Sequence, residues 1–180
     1  IHVGNKIEYT NPGAIFFGEK DDSKNERTKA IAELCEGAGI KYSNPDSIQL
    51  EQWKKFLINV TFNTLSALCR ATYGGFTIDV MQTLARKTGA EVIEIANAEG
   101  IPLTQEMLEY DIKLMWSHDP LGKTSMLQDM EAERKSENDW FCGTIVKLGK
   151  VHGIETPVCQ LLQQLVQGTE ESRKIRNPGN

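Results

Sequence analysis

The stretch WKKFLINVTFNTLSAL, residues 53–68, constrains the fold of this chain more than any other. Phe56, Leu57, Ile58, Val60, Phe62 and Leu65 leave few azimuths of a helix free of apolar side chains. A helix apolar on most sides has to lie among other elements. One line breaks the pattern. Lys55, Asn59 and Asn63 follow one another at intervals of four. In an α-helix such residues stand about 40° apart in azimuth and about 6 Å apart in height, so the three form a polar ridge about 12 Å long. Asn is a poor helix former, and a buried amide without a partner costs on the order of 1–3 kcal/mol. The ridge needs partners, either other side chains or a polar ligand in a cleft. Spacing alone leaves both open, including a reading in which Lys55 reaches water and the two Asn residues satisfy loops.

Nearly everything after residue 46 reads as helix. The spacing predicts a long apolar helix over 47–71, stopped near Tyr73-Gly74-Gly75. A second covers 78–97, with Val80, Leu84, Val92, Ile95 and Ala96 on one stripe and Gly100 as a stop. An amphipathic helix over 104–116 shows Met107, Leu108, Ile112 and Met115 on one face. A polar loop over 117–123 leads to helices over 125–134 and 138–152, with Gly153 as terminator, and to a last helix over 158–173.

The opening differs. Residues 6–10 and 14–18 are β-prone runs joined by Asn11-Pro12-Gly13, which predicts a hairpin. A helix over 23–38 carries Ile31, Leu34, Cys35 and Ala38 at helical spacing and ends at Gly39. A short strand over 40–43 follows, then a break at Asn44-Pro45 with Asp46 placed to cap the next helix. Strand, helix and strand look like the last unit of an α/β domain. A lone hairpin is marginal in water, and the chain does not supply many further strands to support it.

Charge and cysteine usage narrow the classes. The net charge is -5, and the basic residues are interleaved with acids, as in EAERKSEND, so no basic stripe for nucleic acid stands out. No run approaches the roughly 20 apolar residues of a membrane span, and no signal-peptide pattern opens the chain. Cys35, Cys69, Cys142 and Cys159 are widely spaced with no CxxC pair, which fits buried free thiols in a reducing, cytoplasmic compartment. The first residue is Ile, as in a fragment or a processed product.

A second stretch, TSMLQDMEAERKSENDW, spans residues 124–140. Ser125 followed by Gln128 has the form of a capping box. Glu137 reads as a solvated glutamate in a charged run, and Asp129 and Arg134 as partners of their neighbours. Together with the K-x-x-x-N-x-x-x-N line, S-M-x-Q-D, a Glu twelve residues past the Ser, Gly143 and HGIETP at 152–157, this order resembles the ketopantoate reductase family.

That family comprises NADPH-dependent reductases with an amino-terminal Rossmann domain and an all-α carboxy-terminal domain. The resemblance implies a mainly α chain, the helical bundle-like carboxy-terminal domain of a 6-phosphogluconate-dehydrogenase-like fold, after a short α/β remnant. Residues 1–46 would be the last strands and helix of the Rossmann domain, and 47–180 the substrate-binding, catalytic domain. Lys55 resembles the catalytic lysine that protonates the developing alkoxide. Asn59 and Asn63 resemble the amides that hold the substrate's oxygens, and Ser125 the substrate-contacting serine. Glu137 resembles the acid at the nicotinamide-side ribose.

The resemblance further implies reduction of ketopantoate to pantoate in the cytoplasm, a small 2-oxo acid as partner, and a homodimer. Most of the NADPH site would lie outside this chain, because no G-x-G-x-x-G turn follows a strand here, so the piece alone is expected to be inactive. Three positions depart from the family pattern: Thr64 where many members have Pro, Tyr73 where some have a substrate-contacting Asn, and Asn138 in place of an aliphatic residue. A reductase of another 2-oxo acid and a non-catalytic helical dimerisation module are the rival expectations.

Overall fold

Asn25 and Thr28 start the first helix by capping each other. The Asn25 side chain accepts from the Arg27 and Thr28 amides, while the Thr28 hydroxyl takes the Asn25 amide. This helix, α1 (Glu26–Gly37), lies between strands β3 (Ile15–Phe16) and β4 (Tyr42–Ser43), which pair in parallel. Parallel neighbours need such a crossover, so β3-α1-β4 is a complete βαβ unit. A separate pair, β1 (His2–Val3) and β2 (Lys6–Ile7), is antiparallel. The computed structural model describes residues 2–7 and 13–176.

The expected hairpin falls partly outside the described residues. The run over 6–10 pairs through β2 with the preceding β1, and the run over 14–18 pairs through β3 with β4. Residues 8–12, with most of the expected turn, lie outside the described residues. The parallel register is held by the Ile15 amide donating to Lys41 O at 2.9 Å and the Phe17 amide to Ser43 O at 3.1 Å. Asp46 is not the cap of the next helix either. The Ser47 hydroxyl accepts from the Leu50 amide, and Asp22 Oδ1 accepts from the Ile48 amide.

Two compact units divide the chain, Ile1–Gln52 and Trp53–Asn180. The expected long helix is built as α2 (Ile48–Ile58), a π-helical turn (Asn59–Asn63) and α3 (Thr64–Cys69). Arg70, at φ 52°, ends it in the left-handed region. A 3-10 turn (Tyr73–Thr77) then leads to α4 (Asp79–Ala98), α5 (Gln105–Ser117), α6 (Ser125–Glu131), α7 (Cys142–His152) and α8 (Pro157–Arg176).

Val60, Phe62 and Leu65 are fully buried, as are Phe76, Val92, Ile95, Leu108, Met126 and Ile145, so the central rod belongs to the core as its composition demands. Phe62 and Phe76 meet edge to face with centroids 5.2 Å apart. α4 and α5 approach closely at Gly89, where a Cβ would fall 2.5 Å from Leu108. Glu91, buried on α4, reaches the start of α8. Its two oxygens accept from the Val158 and Cys159 amides at 2.7 and 2.8 Å, satisfying donors that a helix start leaves open.

Among the described residues every strand precedes residue 45, and no helix is long and apolar enough to cross a membrane. Cys35, Cys142 and Cys159 are buried free thiols, whereas Cys69 is exposed at the end of α3, against expectation.

Candidate active site

The polar ridge changes shape where α2 gives way to the π-helical turn. The turn begins at Asn59 and ends at Asn63, so its wider i→i+5 winding falls between the two amides rather than beside them. The Asn63 Nδ2 donates to Asn59 Oδ1 at 3.3 Å, as residues four apart on one ridge can. It also reaches Ser125 Oγ at 3.3 Å, sixty-two residues along the chain. Asn63 is 8% exposed and Asn59 is half-buried, so the amide pair is held on the inner side of the ridge. Lys55 stands about one turn earlier on α2 with its side chain exposed.

Ser125 is free to join this cluster because it is not the cap. Thr124 is the N-cap of α6, its hydroxyl oxygen accepting from the Leu127 amide at 3.3 Å. The capping-box reading of Ser125 is corrected by one residue, and Gln128 turns to Lys123 O instead. Thr124 is itself placed by the central rod. Its hydroxyl donates to Ser66 Oγ at 3.0 Å, and Ser66 donates to Ala71 O at 2.5 Å. A buried chain of hydroxyls therefore runs from α3 to the start of α6 and sets Ser125 beside Asn63. Thr64, next to Asn63, is fully buried and accepts from the Cys142 thiol at 3.7 Å.

Glu137 is exposed in the turn before α7, and no hydrogen bond of the described residues ties its carboxylate to Asn63 or Ser125. Its flanks are firm. The Ser136 amide donates to Glu170 Oε1 at 2.8 Å, and the Asn138 side-chain amide donates to Gln163 O at 3.0 Å, both on α8. Asn138 thus serves as an anchor for the turn that presents Glu137. Asp129 and Arg134 pair with each other, as neighbours were expected to. Tyr73 packs on the loop before Thr124: its amide donates to Gly122 O at 2.9 Å and its ring lies 4.9 Å from that of His118.

One residue near the ridge escaped the sequence reading. Asp111 of α5 is 7% exposed, on the same face as the buried Leu108, Ile112 and Met115. Burial pushes its carboxyl up to about 6, against the ammonium charges of Lys54 and Lys55, which act to lower it. The signal was present in the spacing: Asp111 is three past Leu108 and four before Met115, so it interrupts the apolar stripe of α5. Among the described residues no group of three or more His, Cys, Asp and Glu side chains is arranged to hold a metal ion.

Residues 47–170 match the family model for the ketopantoate reductase PanE/ApbA carboxy-terminal domain, more than half of the chain. The chain belongs to the ketopantoate reductase family. Among curated ketopantoate reductases, the 2-dehydropantoate 2-reductase of Archaeoglobus fulgidus is 27% identical over 169 residues, 91% of this chain and 55% of that protein. The chain thus spans about half the length of that curated relative. Among solved structures, a D-mandelate dehydrogenase with NADH and anilino(oxo)acetate superposes with a TM-score of 0.77 at 25% identity, over 84% of this chain and 64% of that one. The dimeric ketopantoate reductase of Staphylococcus aureus, at 21% identity and a TM-score of 0.74 over 83% of this chain and 53% of that one, shares the fold.

Proposed function

We propose that the protein carrying this chain reduces 2-dehydropantoate to pantoate with NADPH, and that this chain is its substrate side. The observation that carries the reading is the Asn63 amide, bound at once to Asn59 and Ser125 one turn from Lys55, in a chain of this family. Amides and a hydroxyl bonded to one another can exchange those bonds for a ligand's carboxylate and hydroxyl oxygens. Asn59, Asn63 and Ser125 take that role, holding the 2-oxo acid in register.

When bound, the nicotinamide cofactor supplies the hydride. Negative charge then develops on the ketone oxygen, where the Lys55 ammonium stabilises it and donates the proton that completes the alcohol. Lys55 is reprotonated from solvent, which its exposure permits. For the cofactor, the fitting residue is Glu137, an exposed carboxylate on an anchored turn that can accept from ribose hydroxyls. Residues 1–46, with their βαβ unit, are read as the end of a Rossmann domain whose phosphate-binding turn lies outside the chain, and residues 47–180 as the substrate domain. The whole protein is read as a cytoplasmic homodimer.

Tyr73 favours a second reading within the same chemistry. An aromatic side chain stands where some family members have a substrate-contacting amide, which suits a 2-oxo acid with a larger apolar group, such as a branched or aryl one. The test is an assay of the full-length protein for NADPH oxidation with ketopantoate and with a series of branched and aryl 2-oxo acids. Highest kcat/KM for ketopantoate supports the first reading, and for a bulkier acid the second. Turnover of none of them would sink both.

A further inference from the structure

The chain leaves α6 at Glu131 and turns through Glu133, whose φ of 55° lies in the left-handed region. The Arg134 amide closes this turn on Asp129 O at 2.9 Å, and the Ser136 amide then bonds Glu170 of α8 at 2.8 Å. Between the turn and the end of α8 lies a cavity of about 540 Å³, the size of a small-molecule site. Its lining is strongly charged. Arg134, Lys135, Arg173 and Lys174 stand with Glu133 and Glu170, four cations against two acids. Asn59, Asn63, Ser125 and Lys55 take no part in it.

The four cations differ in what they are tied to. Arg134 is held by Asp129, with Nη2 2.6 Å from Oδ1. Lys135 reaches Asp139 at 3.2 Å across a well exposed pair, an attraction that solvent largely screens. Arg173 and Lys174 have no hydrogen bond or ion pair among the described residues, and Arg173 Nη1 is buried without a partner. The acid best placed to answer Arg173 is Glu170, three residues earlier on α8, but it is turned to the Ser136 amide. A guanidinium that has lost water from one nitrogen and gained no acceptor is under-compensated. Its charge is delocalised, so an anion that meets its open edge compensates the whole group. Arg173 is half-buried and keeps such an edge, and the exposed Lys174 adds a second uncompensated charge beside it.

We propose that this cavity binds a phosphorylated small molecule, with Arg173 and Lys174 as the groups that hold its phosphate. One carboxylate would answer only one of the two cations. A phosphate brings about two negative charges and several acceptor oxygens, enough for both. The site also adjoins the turn that presents Glu137, because Glu170 of the cavity wall fixes the Ser136 amide immediately before it. A ligand here would therefore steady that turn. The inference goes beyond the proposed function and is read by binding, whether or not the protein reduces a 2-oxo acid. Two carriers offer the same chemistry, a separate phosphorylated metabolite and the cofactor's own phosphates, and the test tells them apart.

Pyrophosphate is titrated into the full-length protein by calorimetry, first without cofactor and then with saturating NADPH. Wild type should bind it saturably, and Arg173→Gln combined with Lys174→Gln should weaken binding about tenfold or more. Should the double variant fail to fold, Lys174→Gln alone, at an exposed position, should weaken it about threefold. Binding that survives saturating NADPH, with NADPH affinity unchanged in the variants, assigns the cavity to a separate phosphorylated ligand. Binding that NADPH abolishes, with NADPH affinity weakened in the variants by a similar factor, assigns it to the cofactor's phosphates. Absence of saturable pyrophosphate binding by the wild type overturns the inference, as does binding that the substitutions leave unchanged.

Discussion

The two halves of the candidate site are built differently. Asn63 is buried and bonds Ser125 across 62 residues of chain, and Thr124 and Ser66, both buried, bond each other at the start of α6. Lys55 and Glu137 are exposed, one at the end of α2 and one in a turn whose flanks, not its carboxylate, are tied down. This half is preorganised: the Asn63 amide and the hydroxyls that set the start of α6 are held before any ligand arrives, which lowers the entropy lost on binding. In the proposed function the exposed half exchanges protons and meets the cofactor, for which access to solvent is useful, and the other half holds the substrate.

Substitutions on the two sides should therefore separate kcat from KM. The largest effect is expected at Lys55. In the full-length protein, Lys55→Ala should lower kcat by about 10²–10⁴-fold with the melting temperature unchanged, the usual contribution of a general acid that also stabilises charge. A wild-type rate in that variant would remove Lys55 from the mechanism and dissolve the contrast.

Asp111 comes next, read as stability. Its carboxyl is raised in the folded protein from 3.8 to about 6, so the folded state binds the proton more tightly than the unfolded one. The associated stability is fully present below pH ~3.8 and is lost as pH rises through about 6, a difference of about 3 kcal/mol. Wild type should thus lose stability relative to Asp111→Asn between pH 4 and pH 7.5, measured by denaturant unfolding at each pH. Parallel stability curves for the two proteins would contradict this.

On the inner side, Asn63→Ala should raise KM for the keto acid by about tenfold or more while kcat changes less, since a positioning amide is used in ground and transition states alike. A drop in kcat alone would move Asn63 to the chemical half. Thr124→Ala, which removes the cap of α6 and the bond to Ser66, should cost about 1 kcal/mol in thermal or denaturant unfolding and raise KM modestly by loosening Ser125. If Ser125→Ala and Thr124→Ala raise KM no more together than Ser125→Ala alone, the two act through one contact.

A second contrast, between Ile1–Gln52 and Trp53–Asn180, sharpens what local pattern can determine. In the first unit the strands are two residues long, and Ile15 and Phe16 of the parallel pair remain 47% and 52% exposed. So short a run carries β propensity without naming its partner, and the Asn-Pro-Gly signal suggested a hairpin where β3 in fact pairs with β4. In the second unit the helical stripes are long, and α4, α5 and α8 fall within a few residues of where periodicity places them.

What the sequence by itself determined was the all-helical character of residues beyond 46, the burial of the central rod, and the membership of Lys55, Asn59 and Asn63 in one polar line, because each depends on side chains a few residues apart. Tertiary structure decided the rest: the π-helical turn within the central rod, the choice of Thr124 over Ser125 as cap, the meeting of Asn63 with Ser125, and the burial of Asp111. A helix period states which way a side chain points, but a buried donor takes whichever acceptor the fold brings within reach, and those acceptors come from 58 and 62 residues away.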